Sequence, residues 1–473
     1  MIQVFGVEKT TQCGNPSPPP RPMAISPTSP LLRCLTVASC ASLLLSSICA
    51  APRALPRNAR PALPAQPAPP AIPAIPKSEA VGDTISPPPQ IAWKEIAQLP
   101  APAGFKEQPG LAGAYAGARG LFLMIAGGAN FLPDQSPDSA PRAYWNTIYV
   151  LEKIRSEDGD HKFEWHPAGL ELPRAIAYGA SVNIEDGVLC IGGRTVEQCL
   201  SDCFVLRWNA TLEKVEMEEF PKLPVPLAHM ACAKIGDTIY VLGGRESVTG
   251  KATRDFFALD LKQRNSPSGF LWQRLAPWDG SPRLNALASS GTDGETESLY
   301  LCGGRNPGGT DGEDFLTDLH RFDPIKKAWS VLGNALDPAG KAATLMGAPT
   351  FFVPPHHLVL VGGTDEKLTT LMEENAYRQA AKDTTDPKEA ADRNKLTQMI
   401  IKNYPGYSRN VMAFDIVASE WSFIGHFPSR PPVSTTVVPW DGNYVIPGGE
   451  TGPGQRTPTI WQASVMKKAR IVE

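Results

Sequence analysis

YVIPGGETGPGQRT, Tyr444 to Thr457, is the sixth copy of one pattern, a short apolar run that ends in a pair of glycines. LFLMIA, GVLCI, TIYVL, SLYLC and HLVLV lead in the same way to Gly127-Gly128, Gly192-Gly193, Gly243-Gly244, Gly303-Gly304 and Gly362-Gly363. The pairs follow one another at 51 to 65 residues, except that the fifth and sixth stand 86 apart. Behind each pair comes another apolar run, and in most copies a Trp-led run after it: WNTIYVLE and FEWHPAGLELP in the first copy, FFALDL and FLWQRLAPW in the third, NVMAFDI and EWSFIGHFP in the fifth. Period-two alternation of this kind marks strands packed on both faces, and a fixed period marks a repeated supersecondary unit.

A period near 50 with a terminal Gly-Gly defines kelch blades of four antiparallel strands each. The expected fold is all-β, a six-bladed kelch β-propeller over residues 90–473. The sixth copy offers only TPTIWQASV after its glycines and no Trp-led fourth strand, whereas Ile91 to Pro100, IAWKEIAQLP, is a fourth strand with no blade before it. Pairing that N-terminal strand with the C-terminal strands closes the ring and removes the edge an open ring would expose. The long interval, 365–403, is rich in helix formers and broken at Asp386-Pro387, which predicts a helical insertion in the fifth blade. It is either a wall over the mouth or a solvent-side addition.

The formal charge of -3 gives no support to a nucleic-acid or polyanion binder, so any basic feature must be local. Residues 1–50 read as a leader with a secretory signal peptide: Met23 as the start, Arg33 as the positive end, then LTVASCASLLLSSICA. That run is shorter than the about 20 residues of a bilayer span, so the protein is expected to be exported, periplasmic or secreted, without a stable membrane span. Residues 51–89 are a Pro/Ala-rich disordered linker. The mature part keeps Cys190, Cys199, Cys203, Cys232 and Cys302; Cys199 and Cys203 are near enough in sequence to pair in an oxidising compartment. No spacing resembles a metal site, and no cofactor is expected.

Strand direction places the residues after the glycine pairs and those that open the first strands at one rim. Those positions are Asn130, Arg194, Arg245, Arg305, Thr364 and Glu450, with Arg174, His229, Arg283 and Arg430 at the strand entries and Arg456 six residues beyond Glu450. Asn130, Arg174, Arg194, Arg245, Arg283 and Arg305 are the candidate substrate-binding residues. Guanidinium groups gathered at one opening point to an anionic ligand, because their forks hold carboxylates with paired, charge-assisted bonds. Glu450 is the lone carboxylate among them, either a rim ion pair with Arg456 or a general base within reach of a ligand hydroxyl.

GLAGAYAGARGLFLMIAGGANF, Gly110 to Phe131, together with GGETGPGQRT, Gly448 to Thr457, resembles the kelch-type N-acetylneuraminate epimerases, also called sialic acid mutarotases. The repeat order is similar to the cyclically permuted branch of that family. Leu132 departs from it, standing where the family runs directly from Phe to Pro. The resemblance implies interconversion of the α and β anomers of N-acetylneuraminate without a cofactor, on a small-molecule sugar acid. It implies Glu450 and Arg456 as the catalytic pair, at the Glu and Arg of the GE-x-x-PG-x-RT motif. Two alternatives stand beside it: a non-catalytic propeller binding glycans or proteins through the same mouth, and a propeller-type copper radical oxidase, for which His356-His357 is the nearest approach to a metal cluster.

Overall fold

The computed structural model describes residues 86–466, apart from 103, 133–141, 156–160, 267, 310–313, 405 and all of 365–402 except Lys395 and Met399. Leader 1–50 lies outside the described residues, as does linker 51–89 up to residue 85. So does nearly all of the helical insertion; within 365–403 only Lys395, Met399 and Asn403 are described, each helical, too few to define an element.

Six four-stranded antiparallel sheets make up the propeller. Blade 1 runs Tyr115–Arg119, Phe122–Ala126, Ile148–Arg155, His161–Pro167, and blade 2 Ala180–Ile184, Gly187–Ile191, Cys203–Asn209, Lys214–Phe220. Blade 3 is Ala231–Ile235, Thr238–Leu242, Phe256–Asp260, Gln273–Arg274, and blade 4 is Leu287–Thr292, Glu297–Cys302, Asp318–Asp323, Ala328–Asn334. Blade 5 comprises Thr350–Val353, His357–Val361, Asn410–Asp415 and Glu420–His426. Blade 6 combines both ends of the chain: Val438–Trp440, Asn443–Gly452 and Gln455–Val465, with Ile91–Gln98 hydrogen-bonded to the last as the outer strand. The predicted closure is therefore the observed one.

The hydrophobic core is six wedges rather than one centre. Each adjacent pair of blades encloses its own cluster, including blades 6 and 1, where Leu123, Ile125 and Leu151 meet Val445, Ile460 and Trp440. Second strands such as GVLCI and HLVLV are buried along their whole length because a blade faces them on either side. The glycine pairs follow from the same crowding. A Cβ at Gly127, Gly192, Gly243 or Gly303 would stand 2.3 to 2.5 Å from a carbonyl oxygen at the entry to the next blade. The second glycine's N–H donates to that same carbonyl, Gly128 to Ile176, Gly193 to Leu227, Gly244 to Arg283 and Gly304 to Leu345. Any side chain there would push neighbouring blades apart. Cys199 and Cys203 are separate thiols, as are the other three described cysteines.

A second ring lies inside the first. Gly113, Tyr178, His229, Asn285, Gly347 and Ser434, one at each first-strand entry, donate their N–H to the carbonyl of the preceding member over 2.7–2.8 Å, and Gly113 completes the circle by donating to Ser434. All six have φ between 52° and 65°, the left-handed region. Ring members and inner strands line a central cavity of about 660 Å³.

Candidate functional site

The GETGPGQRT segment is a hairpin whose turn fixes the chemistry opposite it. Pro453 supplies the φ wanted at the second position of a type II turn, and Gly454 the positive φ, 72°, wanted at the third. With Gly452 and Gln455 paired across that turn, Glu450 falls opposite Arg456. Directly opposed residues put their side chains on one face. Arg456 Nη2 lies 2.8 Å from Glu450 Oε2, the arginine side chain 1% exposed and the carboxylate 18%. Despite that proximity, none of the three Arg456 nitrogens meets hydrogen-bond geometry with a described residue.

Three further segments converge on this pair. Phe131, from the GGANF stretch, lies beneath the Arg456 guanidinium at 5.0 Å and that of Arg142 at 5.7 Å. Tyr407 Oη donates to Glu450 Oε1 over 3.3 Å, and burial, with Glu450 next, pushes its phenol well above the ordinary range, so it stays a donor. Tyr404 and Tyr407, just past the predicted insertion, pack with Val433 and wall the Glu450 side of the mouth. Arg430 braces this wall, donating to Gln455 Oε1 at 2.8 Å and to the Tyr404 carbonyl.

Bridges between first-strand entries and the residues after the glycine pairs define equivalent positions: Ala112 with Ala129, Ala177 with Arg194, Ala228 with Arg245, Leu284 with Arg305 and Val433 with Glu450. With Thr364 in blade 5, the six positions read Ala, Arg, Arg, Arg, Thr, Glu. Blades 2, 3 and 4 thus carry a continuous arc of guanidinium groups, and the one carboxylate sits on blade 6, across the ring from Arg245.

Arg194 lies over the Tyr144 ring at 5.7 Å and donates to the carbonyls of Thr195 and Val196. Arg245 donates to the Val248 carbonyl at 3.0 Å, but its Nε has no partner. Burial first, then Arg194, Arg305 and Arg142, lower its proton affinity. Such crowding of like charge is unfavourable until an anion joins it. Arg305 is buried, over the Phe315 ring at 4.9 Å and 3.9 Å from Asp314.

Three predicted residues sit elsewhere than expected. Asn130 is one residue past the rim position, which Ala129 holds; fully buried, it takes the Trp145 indole N–H on Oδ1 and donates from Nδ2 to the Gly110 carbonyl, each at 2.9 Å. It props up the segment carrying Phe131. Arg283 is 0% exposed and gives its fork to Asp318 at 2.9 and 2.7 Å and to the Gly303 carbonyl at 3.1 Å. Those bonds leave it committed to joining blades 3 and 4, because its side chain turns toward the wedge. Arg174 is half exposed and 3.4 Å from Asp202, a carboxylate shared with Lys222.

One residue escaped the sequence reading. Arg142, on the return limb of the loop after GGANF, has no hydrogen bond or ion pair with a described residue and rests on the rings of Phe131 and Tyr178 at 5.7 and 5.8 Å. Tyr178 first, then, against the opposing effect of burial, Glu450, hold its proton more firmly; it shares the Phe131 ring with Arg456 and reaches Tyr178 on its other side. No motif marks it; only its place on the loop does. Among the described residues no three His, Cys, Asp or Glu side chains gather as metal ligands do, and no helix is long and apolar enough to cross a membrane.

Fold and mouth define a class: a kelch-type six-bladed propeller that sets one carboxylate against an arc of arginines. A sequence profile described as N-acetylneuraminate epimerase matches residues 77–215 and 220–471. The chain belongs to the N-acetylneuraminate epimerase family. It is 26% identical over 272 residues to the N-acetylneuraminate epimerase of Yersinia pestis (strain Pestoides F), a match covering 57% of this chain and 63% of that protein. To the Brucella melitensis biotype 1 protein of the same name it is 36% identical over 128 residues, 26% of this chain and 32% of the other. The chain thus spans less than two thirds of the length of these curated relatives. A solved structure titled "Structure of YjhT" aligns with a TM-score of 0.51 at 14% identity, covering 79% of this chain and 98% of that one, a likeness of fold.

Proposed function

We propose that this protein is an exported sugar-acid mutarotase that interconverts the α and β anomers of N-acetylneuraminate by acid–base opening and closing of the sugar ring. The observation that carries the reading is one carboxylate, Glu450, held by Arg456 Nη2 at 2.8 Å, facing buried guanidinium nitrogens with no hydrogen-bond partner among the described residues, Nε and Nη1 of Arg456 and Nε of Arg245, with the exposed Arg142 beside them. Buried polar groups are normally satisfied, so a mouth with this many open donors is shaped for an anionic, oxygen-rich ligand.

In the proposed reaction Glu450 accepts the proton of the anomeric hydroxyl. The oxygen's electron pair forms the carbonyl, the bond from the anomeric carbon to the ring oxygen breaks, and the ring oxygen takes up a proton from water. Rotation presents the other carbonyl face, and the same steps in reverse close the ring as the second anomer. Arg456 fixes one carboxylate oxygen of Glu450 and Tyr407 the other. Arg142 and the Arg194–Arg245–Arg305 arc hold the substrate carboxylate. Positioned acid–base groups contribute about 10² to 10⁴ in rate, enough for a reaction that also proceeds unaided.

The test is proton NMR on freshly released α-N-acetylneuraminate. The wild-type protein should hasten its approach to the anomeric equilibrium. Binding without any hastening would instead favour a non-catalytic sugar-binding propeller.

A further inference from the structure

The floor of the mouth is as uneven as its rim. In the inner ring of hydrogen bonds, blades 5, 6 and 1 contribute Gly347, Ser434 and Gly113, while blades 2, 3 and 4 contribute Tyr178, His229 and Asn285. The small residues lie on the Glu450 side and leave room there. The large polar ones lie under the arginine arc, and each holds a left-handed backbone, φ 59°, 61° and 52°. Asparagine tolerates that conformation; tyrosine and histidine do so at a cost, which residues bear where their side chains have work to do.

These three side chains form one assembly. The Tyr178 and His229 rings are stacked, centroids 4.6 Å apart and planes at 19°. His229 Nδ1 is 3.0 Å from Asn285 Oδ1, and an amide oxygen only accepts, so Nδ1 carries the proton. Nε2 is then a bare acceptor in a mouth otherwise supplied with donors. Burial first, then Arg245, hold the imidazole neutral, with its pKa lowered to about 3. Beside it the buried Tyr178 hydroxyl has no partner among the described residues. Along three consecutive blades the floor therefore offers a hydroxyl, an acceptor and the amide donors of Asn285.

We infer that Tyr178, His229 and Asn285 form a shelf that recognises the exocyclic polyol chain of the sugar acid, with His229 Nε2 accepting from one of its hydroxyls. Hydroxyls on adjacent carbons both donate and accept, and a run of them matches a run of mixed donors and acceptors as a single carboxylate does not. The anomeric hydroxyl stays with Glu450 and the carboxylate with Arg142 and the arginines of the rim, while the chain lies beneath them along the floor. The inference rests on the sugar-acid reading of the site and names His229 as a specificity-determining residue rather than a catalytic one.

The test is a cycle of two proteins and two ligands. His229→Asn suits the left-handed backbone and keeps an amide near the Nδ1 position, while removing the acceptor at Nε2. The ligands are N-acetylneuraminate and its analogue shortened by two carbons through mild periodate cleavage and borohydride reduction. Dissociation constants come from titration calorimetry and exchange rates from NMR. His229→Asn should weaken binding of the full-length sugar about tenfold, the worth of one neutral hydrogen bond. It should leave kcat within a factor of about two, and it should not weaken binding of the shortened sugar further. His229→Gln, which returns an acceptor near the Nε2 position, should recover most of the loss. Equal weakening of both ligands, or no weakening of either, in a protein that still exchanges anomers overturns the shelf and leaves the mutarotase reading standing. A wild-type protein that neither binds nor exchanges the sugar overturns both.

Discussion

Replacing Arg142 and Arg283 in turn separates an arginine held for a ligand from one spent on the fold. Arg142 has no hydrogen bond or ion pair with a described residue and touches two ring faces, at 5.7 and 5.8 Å. An exposed cation–ring contact is worth about 0.5–1 kcal/mol, so with two of them Arg142→Ala should cost at most about 1–2 kcal/mol in stability. Against a bound carboxylate the same guanidinium supplies charge-assisted bonds worth about 1.5–3 kcal/mol, and its loss should weaken binding roughly 10- to 100-fold. Arg283 has the opposite accounts. It is fully buried with two bonds to Asp318; breaking a buried pair costs about 3–5 kcal/mol, and the His320 partner 2.6 Å from Asp318 puts this one at the lower end of that range. Arg283→Ala should therefore lower the melting temperature sharply, and any protein that remains folded should bind as the wild type does. Differential scanning calorimetry and titration with N-acetylneuraminate read both quantities. Unchanged affinity in Arg142→Ala, or weakened affinity with unchanged melting in Arg283→Ala, would refute the division of roles.

Other outcomes follow from the packing. A Cβ at Gly110, whose φ is 88°, would meet the backbone of Thr457 at 2.4–2.6 Å, so Gly110→Ala should displace the hairpin bearing Arg456. Anomer exchange should fall by more than tenfold, with a loss of about 1–3 kcal/mol in thermal unfolding. Deleting residues up to Pro100 removes Ile91–Gln98 from the edge of Gln455–Val465, and gel filtration should show aggregation in place of a monodisperse species; a deletion that melts as the full chain does would deny that the termini seal the ring. Acid should destabilise in two stages. His229 stays neutral when folded down to about pH 3, whereas the unfolded chain takes up that proton near its ordinary value of about 6.5, so stability falls as pH drops between them. Arg283 and His320 hold the Asp318 carboxyl below its usual range against the opposing effect of burial, which adds a loss of the same sign below about pH 4. Melting temperature against pH should keep the lower limb and lose the upper one in His229→Asn.

The propeller was legible because its repeat writes steric necessity into the chain: the first four glycine pairs stand where the next blade's carbonyl leaves no room for a Cβ. Closure by the termini was legible from a strand missing at one end and spare at the other. The Glu450–Arg456 pair could be read from the rim position of Glu450 and from the GE-x-x-PG-x-RT motif; the register that opposes them is fixed by the turn at Pro453-Gly454. Arg283 could not be placed, since sequence assigns a residue to a strand entry without saying which way its side chain turns, and Asp318 lies 35 residues away. The rim position of blade 1 belongs to Ala129, directly after its glycines as Arg194 is after its own, and Asn130 one residue on turns the other way. Arg142 and the Tyr178–His229–Asn285 shelf depend on loop path and left-handed backbone, neither of which a repeat pattern encodes.

The central claim is that the Glu450 carboxylate moves a proton of the anomeric hydroxyl, and Glu450→Gln tests it with one atom changed. Magnetisation-transfer NMR on N-acetylneuraminate at anomeric equilibrium, with the protein added, measures the exchange rate directly. The account predicts enhanced exchange with the wild type and none above buffer with Glu450→Gln, while the variant still binds the sugar. Exchange at the wild-type rate in Glu450→Gln would contradict it.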